Sequence, residues 1–207
     1  MKIAIIGLGN MGKGLASRLA GKVDLTVAAR DEAVASAFAA SLSKTKSASV
    51  SAAIKAADII VLATSYAAAL EAATWPDLKG KIVVDMSNPV KPDFSGLLLG
   101  HSTSAAEEIQ AVAKGAKVVK AFNTIFAGLF ATPAKATASV PVFLAGNDET
   151  AVNAVAELVT SAGFAVEKTG GLDAARLLEP VGMLNIRFGY GLGRGTGIAP
   201  NWVTVAA

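Results

Sequence analysis

The chain of 207 residues contains no cysteine. This excludes a disulfide framework, a thiolate nucleophile and a thiolate metal site. Histidine occurs once, at His101, so no histidine cluster is available and no metal is expected. Aromatic residues make up only 6%, and the basic residues form no dense run interleaved with them, so nucleic-acid binding has little support. The longest plainly apolar run, Ile59 to Ala63, falls far short of the roughly 20 residues that cross a bilayer. Lys2 is followed by only the short run Ile3 to Ile6 before Gly7, too little for a signal-peptide core. No membrane partner is expected, and a soluble, cytoplasmic protein is the default expectation. The net charge of +3 is mild and suits a small anionic ligand.

What is present is a chain rich in buried sheet. Hydrophobic residues reach 53% and charged ones 17%, which fits a globular core and excludes disorder. Short apolar runs ("KIAIIG", "DLTVAAR", "DIIVLAT", "KIVVDMS", "AKVVKAFN", "VPVFLAG", "FAVEKTG") alternate with helical stretches. In the first of these, Met11, Leu15 and Leu19 recur at four-residue spacing up to Gly21. Continuous apolar strands separated by helices predict an α/β fold, with a doubly wound, mainly parallel sheet covered on both faces. A helix is expected from about Glu149 to Ser161, and a last one from Leu172 to about Phe188, disturbed at Pro180. The glycine-rich "GYGLGRGTGIAPNW" beyond it reads as irregular, either a frayed tail or a loop that closes over something. Residues 1–170 are expected to form the main domain. Residues 171–207 form a small helical extension on that domain or on a dimer partner.

Gly7-Leu8-Gly9-Asn10-Met11-Gly12 has the G-x-G-x-x-G spacing, directly after the first strand and opening the first helix. In that context each glycine has its own task. Gly7 makes a tight turn, Gly9 lets the backbone approach a pyrophosphate, and Gly12 allows close helix-to-strand contact. The free N–H groups and the positive end of the helix dipole attract phosphate. A Rossmann-type dinucleotide site is the firmest expectation.

The second strand ends in "VAARDE", Val27 to Glu32. A ribose-binding acid belongs at the strand tip, here placed near Ala29, whose methyl binds nothing polar. Arg30 can pair with a 2′-phosphate and lie flat against adenine. Asp31 and Glu32 fall where a helix cap and first turn favour carboxylates. NADP is therefore preferred over NAD.

Ligands of open parallel sheets lie across the carboxyl ends of the strands. That rule selects Thr64-Ser65-Tyr66, Ser87-Asn88-Pro89 and Asn123-Thr124, small or amide-bearing residues suited to a carboxamide or a ribose. For "SNP" a plain turn competes. No Ser-His-Asp set, paired carboxylates or histidine cluster is apparent at these tips. His101 lies in a polar loop, and a solvated role outweighs a catalytic one. Lys117 and Lys120 lie in or beside a strand; Lys120 could face the site. Absent an obvious acid or base, direct hydride transfer between stacked rings fits, because it needs positioning rather than proton transfer. No catalytic side chain is assigned; Asn123 is a possible orienting residue.

Together "IIGLGNMGKGLASRLA", "VAAR", "VVDMSNPV", "VVKAFNTI" and "MLNIRFGYG" resemble the NADPH-dependent deazaflavin (coenzyme F420) reductases. They are similar also to the cytosolic oxidoreductase domain of the six-transmembrane metalloreductases. The resemblance spans about Lys2 to Gly191. It implies NADP(H) over Gly9 to Gly12 with Arg30 at the 2′-phosphate, and Thr64, Ser65 and Tyr66 along the pyrophosphate and nicotinamide side. Ser87, Asn88, Pro89, Ala121 and Asn123 would line the nicotinamide. The second ring would lie near Thr124, Met183 and Asn185. A homodimer through the C-terminal region is implied, with a small-molecule acceptor that could be F420, FMN or FAD.

Two other readings compete. β-Hydroxyacid dehydrogenases and imine reductases share the glycine motif but append a long helical domain, for which 207 residues leave little room. A non-enzymatic NADP(H)-sensing protein would keep the cofactor site and turn nothing over.

Overall fold

The structure, a computed structural model, describes residues 1–203 and 205. The chain opens with β1 (Lys2–Ile6), α1 (Asn10–Leu19), β2 (Asp24–Ala28), α2 (Glu32–Ala40), β3 (Thr45–Ser47), α3 (Val50–Ala56), β4 (Ile59–Leu62) and α4 (Tyr66–Ala72). It continues with β5 (Ile82–Asp85), α5 (Ala105–Val112), β6 (Lys117–Lys120), α6 (Gly128–Ala131), α7 (Ala134–Thr137), β7 (Pro141–Gly146), α8 (Glu149–Ser161), β8 (Ala165–Lys168) and α9 (Ala175–Ile186). Among the described residues the sheet has the order β3-β2-β1-β4-β5-β6-β7-β8. All pairings are parallel except β6 with β7, which is antiparallel over Val119–Gly146 and Lys120–Ala145. The expected doubly wound α/β sheet is therefore observed, and no described helix is long and apolar enough to cross a membrane.

Strand alternation explains why these runs are apolar throughout. Ile3 and Ile5 of β1 join one core with Leu15, Leu19, Val61, Val84, Val119 and Val155. Ala4 and Ile6 join the core on the opposite face with Ile54, Ile60, Leu62, Val83 and Ile109. Side chains of successive residues point to opposite faces, so a strand covered on both sides must be apolar at every position. Val155 and Leu158 place α8 on the first face.

The chain runs outward from β1 to β3, then returns to β4 on the other side of β1. Strand direction of travel reverses there, and the diverging β1 and β4 loops leave a crevice. Two details differ from the sequence expectation. The short edge strand β3, from "TKS", carries too few apolar residues to announce itself. The last helix is divided: a 3-10 turn at Leu172–Ala174 leads into α9, and a π-helical turn follows at Arg187–Gly191. Gly189 to Gly191 are thus helical. Pro180 stays inside α9 on its exposed side, so the helix continues past it in spite of the missing backbone donor.

The glycine-rich tail is largely exposed but touches the domain at several points. Tyr190 meets the Phe126 ring edge-on at 5.4 Å, and Trp202 meets Phe143 at 5.3 Å. Thr196 lies where a Cβ on Gly128 would reach its hydroxyl at 2.7 Å.

Candidate active site

At the β1–α1 turn the glycine spacing has steric causes. Gly7 has φ +100, and a Cβ there would lie 2.6 Å from the Ala63 carbonyl oxygen. A Cβ on Gly12 would lie 2.0 Å from the carbonyl oxygen of Gly7, so only glycine lets α1 pack against its own entry turn. Gly9 differs: nothing lies within 4 Å of its Cβ position. The space in front of it is open, as a backbone approaching a pyrophosphate requires. Side chains cap α2, α3, α4, α5 and α8 at Asp31, Ser49, Ser65, Ser104 and Asp148, whereas no side chain caps α1 and no acid lies in its first turn. Asn10 is exposed and Met11 half-buried, beside donors left for an anion.

The "VAARDE" stretch separates as expected. Strand β2 ends at Ala28, one residue before the expected tip, and Ala29 is half-buried. Asp31 caps α2, accepting from the backbone N–H of Ala33 at 2.9 Å and of Val34 at 3.2 Å. Glu32 opens the first turn. Arg30 is exposed and has no hydrogen bond or ion pair among the described residues. The acid is consumed by the helix, and the guanidinium takes no part in that cap.

At the tip of β4, the Thr64 methyl group lies against Gly7, within 2.8 Å of its Cβ position. Ser65 caps α4 through Ala68 N–H. The Tyr66 hydroxyl donates to the Glu108 carboxylate on α5. Burial, then that acceptor, pushes the phenol up to about 12. Its polar end is thereby directed to α5.

The tips of β5 and β6 form one network. Asn88 Nδ2 donates to the Asn123 carbonyl at 2.7 Å, and Asn123 Nδ2 returns a bond to Asn88 Oδ1 at 2.9 Å. Asn123 also donates to the Leu178 carbonyl at 3.0 Å, and Asn185 to the Thr124 carbonyl at 3.0 Å. Phe122 turns the chain between them with φ 62, a left-handed conformation costing on the order of 1–2 kcal/mol in a non-glycine residue. Its ring packs near Phe130 and Phe164 at 6.2 and 6.5 Å, and that burial offsets the strain. Ser87 Oγ, Asn123 Oδ1 and Thr124 Oγ1 are buried with no hydrogen-bond partner, a state that normally marks a waiting ligand or water. Pro89 is buried beside this turn. Ala121 has no exposed surface, and its side chain packs into the core beneath this turn.

Sequence reasoning missed the charges beneath this rim. Asp85 and Lys120 are register partners on β5 and β6, and both are fully buried. Lys120 Nζ donates to Asp85 Oδ2 at 2.8 Å, to Glu179 Oε1 of α9 at 2.8 Å and to the Ser87 carbonyl at 2.5 Å. Glu179 Oε2 in turn accepts from Ala105 N–H at 3.1 Å at the start of α5. Burial raises the Glu179 carboxyl, against the opposing pull of Lys120. Paired carboxylates therefore do exist here, contrary to the expectation, and they bracket a lysine that faces inward instead of toward the crevice. The available signal was a charge closing each apolar run, Asp85 in "IVVD" and Lys120 in "KVVK".

A cavity of about 430 Å³ opens between α9 and the loop after β5, with His101, Thr103, Glu179, Met183 and Arg187 among its walls. Met183 is half-buried there and His101 exposed. Asn185 is directed instead to Thr124. The expected acceptor residues are thus divided, Met183 at the cavity and Asn185 and Thr124 in the buried rim.

A glycine turn against an uncapped helix, at the switch point of a doubly wound sheet, defines a Rossmann-type dinucleotide-binding protein. The comparisons place it further. The family model described as NADP oxidoreductase, coenzyme F420-dependent, matches residues 2–89. The F420-dependent NADP reductase of Methanocaldococcus jannaschii is 30% identical over 220 residues, covering 96% of this chain and 97% of that protein. The metalloreductase STEAP3 of Rattus norvegicus is 30% identical over 183 residues, 87% of this chain but 36% of that protein. A crystal structure described as a candidate F420-dependent NADP reductase from an Arthrobacter species superposes with TM-score 0.82 at 33% identity, covering 95% and 96% of the two chains. The imine reductase of Aspergillus terreus, at 21% identity, shares the fold with TM-score 0.68 over 93% of this chain and 63% of that one. The chain belongs to the coenzyme F420-dependent NADP oxidoreductase family and is an NADP-dependent oxidoreductase.

Proposed function

We propose that this protein passes hydride between NADP(H) and a flavin-type or deazaflavin acceptor. In this reading the uncapped start of α1 and the open face of Gly9 receive the pyrophosphate, and Arg30 takes the 2′-phosphate. Asn88, Asn123 and Ser87 hold the carboxamide end. When bound, the nicotinamide supplies the hydride or accepts it at one ring carbon. The chain's own part is orientation and exclusion of water, which suits a transfer needing alignment more than an acid or base.

The observation that carries the reading is the trio of buried, unpartnered polar atoms at the β5 and β6 tips, Ser87 Oγ, Asn123 Oδ1 and Thr124 Oγ1. They are amide and hydroxyl groups, made for holding a polar ring substituent and not for moving protons. The relatives' names support a deazaflavin acceptor. Met183, Thr124 and Asn185 would meet it, with Met183 at the cavity beside α9. Leu177 and Leu184, one heptad apart and exposed on α9, support pairing with a second copy of the chain.

Anaerobic mixing of the protein and NADPH with deazaflavin, FMN, FAD or a ferric chelate tests the proposal, with nicotinamide absorbance followed. Oxidation with the deazaflavin or a flavin is expected. Oxidation with the ferric chelate alone would replace the acceptor class. Tight NADPH binding with no turnover in any mixture would favour a sensing role instead.

A further inference from the structure

Lys120 is fully buried, and its three donors meet three acceptors from different parts of the chain. Asp85 closes β5, Ser87 begins the turn that follows, and Glu179 belongs to α9. Asp85 uses its other oxygen to accept from Ser87 N–H at 2.9 Å. The Ser87 peptide groups are therefore fixed on both sides, the N–H by Asp85 and the carbonyl by Lys120. The next residue is Asn88, half of the amide pair that closes the rim. On α9, Leu178 beside Glu179 gives its carbonyl to Asn123. One turn on, Gly182 lies so close that a Cβ would reach Asn88 Nδ2 at 2.7 Å and the Asn123 carbonyl at 2.8 Å.

Stability alone does not account for this arrangement. Desolvating three charged groups costs several kcal/mol each, and well-packed apolar residues often serve a core as well or better. A hydrocarbon trio could join the same elements, but it could not fix the direction of the Ser87 carbonyl or the pitch of the turn after it. Directional donors do that.

We propose that Lys120 is a positioning residue for the nicotinamide end of the cofactor. Through Ser87 it sets the Ser87-Asn88-Pro89 turn, and through Glu179 it locks α9 onto the Asn88–Asn123 pair. The inference rests on the NADP(H) reading and adds a buried ionic clamp to it.

Calorimetric titration with two ligands, NADP+ and 2′,5′-ADP, tests the role in Lys120→Met, since 2′,5′-ADP retains the adenosine and 2′-phosphate but lacks the nicotinamide. Loss of the clamp is expected to weaken NADP+ about tenfold, because the groups that meet the nicotinamide end are no longer held in place. Binding of 2′,5′-ADP should stay within about twofold of wild type. A role in folding only would weaken both ligands alike, and either that result or unchanged binding of both overturns the proposal. Because Lys120→Met strands two buried carboxylates, Glu179→Gln, which keeps the side-chain shape, is titrated in parallel. It should show the same selective loss at about threefold, with Lys120→Arg recovering part of it; equal effects on both ligands again overturn the role. Wild-type protein that binds neither ligand would remove the cofactor reading itself, a different failure.

Discussion

At the β1–α1 turn the protein leaves polar groups open. The first-turn donors of α1 lack a cap, the face of Gly9 is empty, and Arg30 has no partner among the described residues. At the β5–β6 rim, a few strands away, amides, carboxylates and one lysine are bound to each other, and Ser87 Oγ, Asn123 Oδ1 and Thr124 Oγ1 are left without a partner among the described residues. The first region binds by backbone shape and a solvent-facing cation, so it needs little from the rest of the fold. The second binds by side chains whose directions must be held by others. A flexible cation can find a phosphate, but a ring that must present one face needs walls that do not move.

This contrast can be broken from the rim first. Lys120→Met should destabilise the fold by about 3–5 kcal/mol, because two buried carboxylates lose their shared cation. Chemical denaturation measures it, and a loss under about 1 kcal/mol would mean that the rim is no more tightly held than a surface ion pair. At the open end, Arg30→Ala should cost about 1–3 kcal/mol of NADPH affinity while leaving NADH nearly unchanged. Equal losses for the two cofactors would remove the 2′-phosphate assignment. Little change in stability is expected there, since Arg30 is exposed and makes no hydrogen bond or ion pair among the described residues.

Asp31→Ala sharpens the boundary between the two neighbouring roles in "VAARDE". Losing the α2 cap should lower stability by about 1 kcal/mol with the preference for NADPH intact. A switch in cofactor preference would show instead that the acid reads the ribose. The smallest effect belongs to Glu107, whose carboxyl is held below its ordinary value chiefly by hydrogen bonding to Arg176 of α9. A depressed carboxyl contributes stability that is present above the unfolded value of 4.5 and disappears as pH falls through the folded value. The stability gap between wild type and Glu107→Gln should therefore narrow below that pH, as thermal melts across the acid range would record. A gap that stays constant with pH would detach this pair from the anchoring of α9.

The open end could be read almost completely from the chain. Gly7, Gly9 and Gly12 lie within six residues of each other and Asp31 caps a helix two and three residues away, although part of the space denied to a side chain at Gly7 is taken by Ala63 at the tip of β4. Interactions of that range depend on backbone geometry that spacing alone dictates. The same holds for the strands, whose apolar runs follow from burial on both faces.

The rim is different because its partners are far apart in the chain. Asp85 and Lys120 meet only through the register of β5 on β6, and Glu179 only through the docking of α9. Phe122 takes its left-handed turn because Phe130 and Phe164 surround its ring, which no local rule for a phenylalanine anticipates. Tyr66 stands just beyond the tip of β4 as expected, opening α4, yet its hydroxyl follows Glu108 because α4 and α5 are neighbours.

By itself, then, the sequence determined the alternating fold, the dinucleotide turn and the separation of Arg30 from the acids after it, since each depends on neighbours within a helical turn or a strand repeat. Tertiary structure alone decided which way Lys120 points, what closes over Asn88 and Asn123, and where Tyr66 places its hydroxyl. Those outcomes depend on strand register and helix docking, and the free energy of burying a charge is settled only once all its partners have arrived.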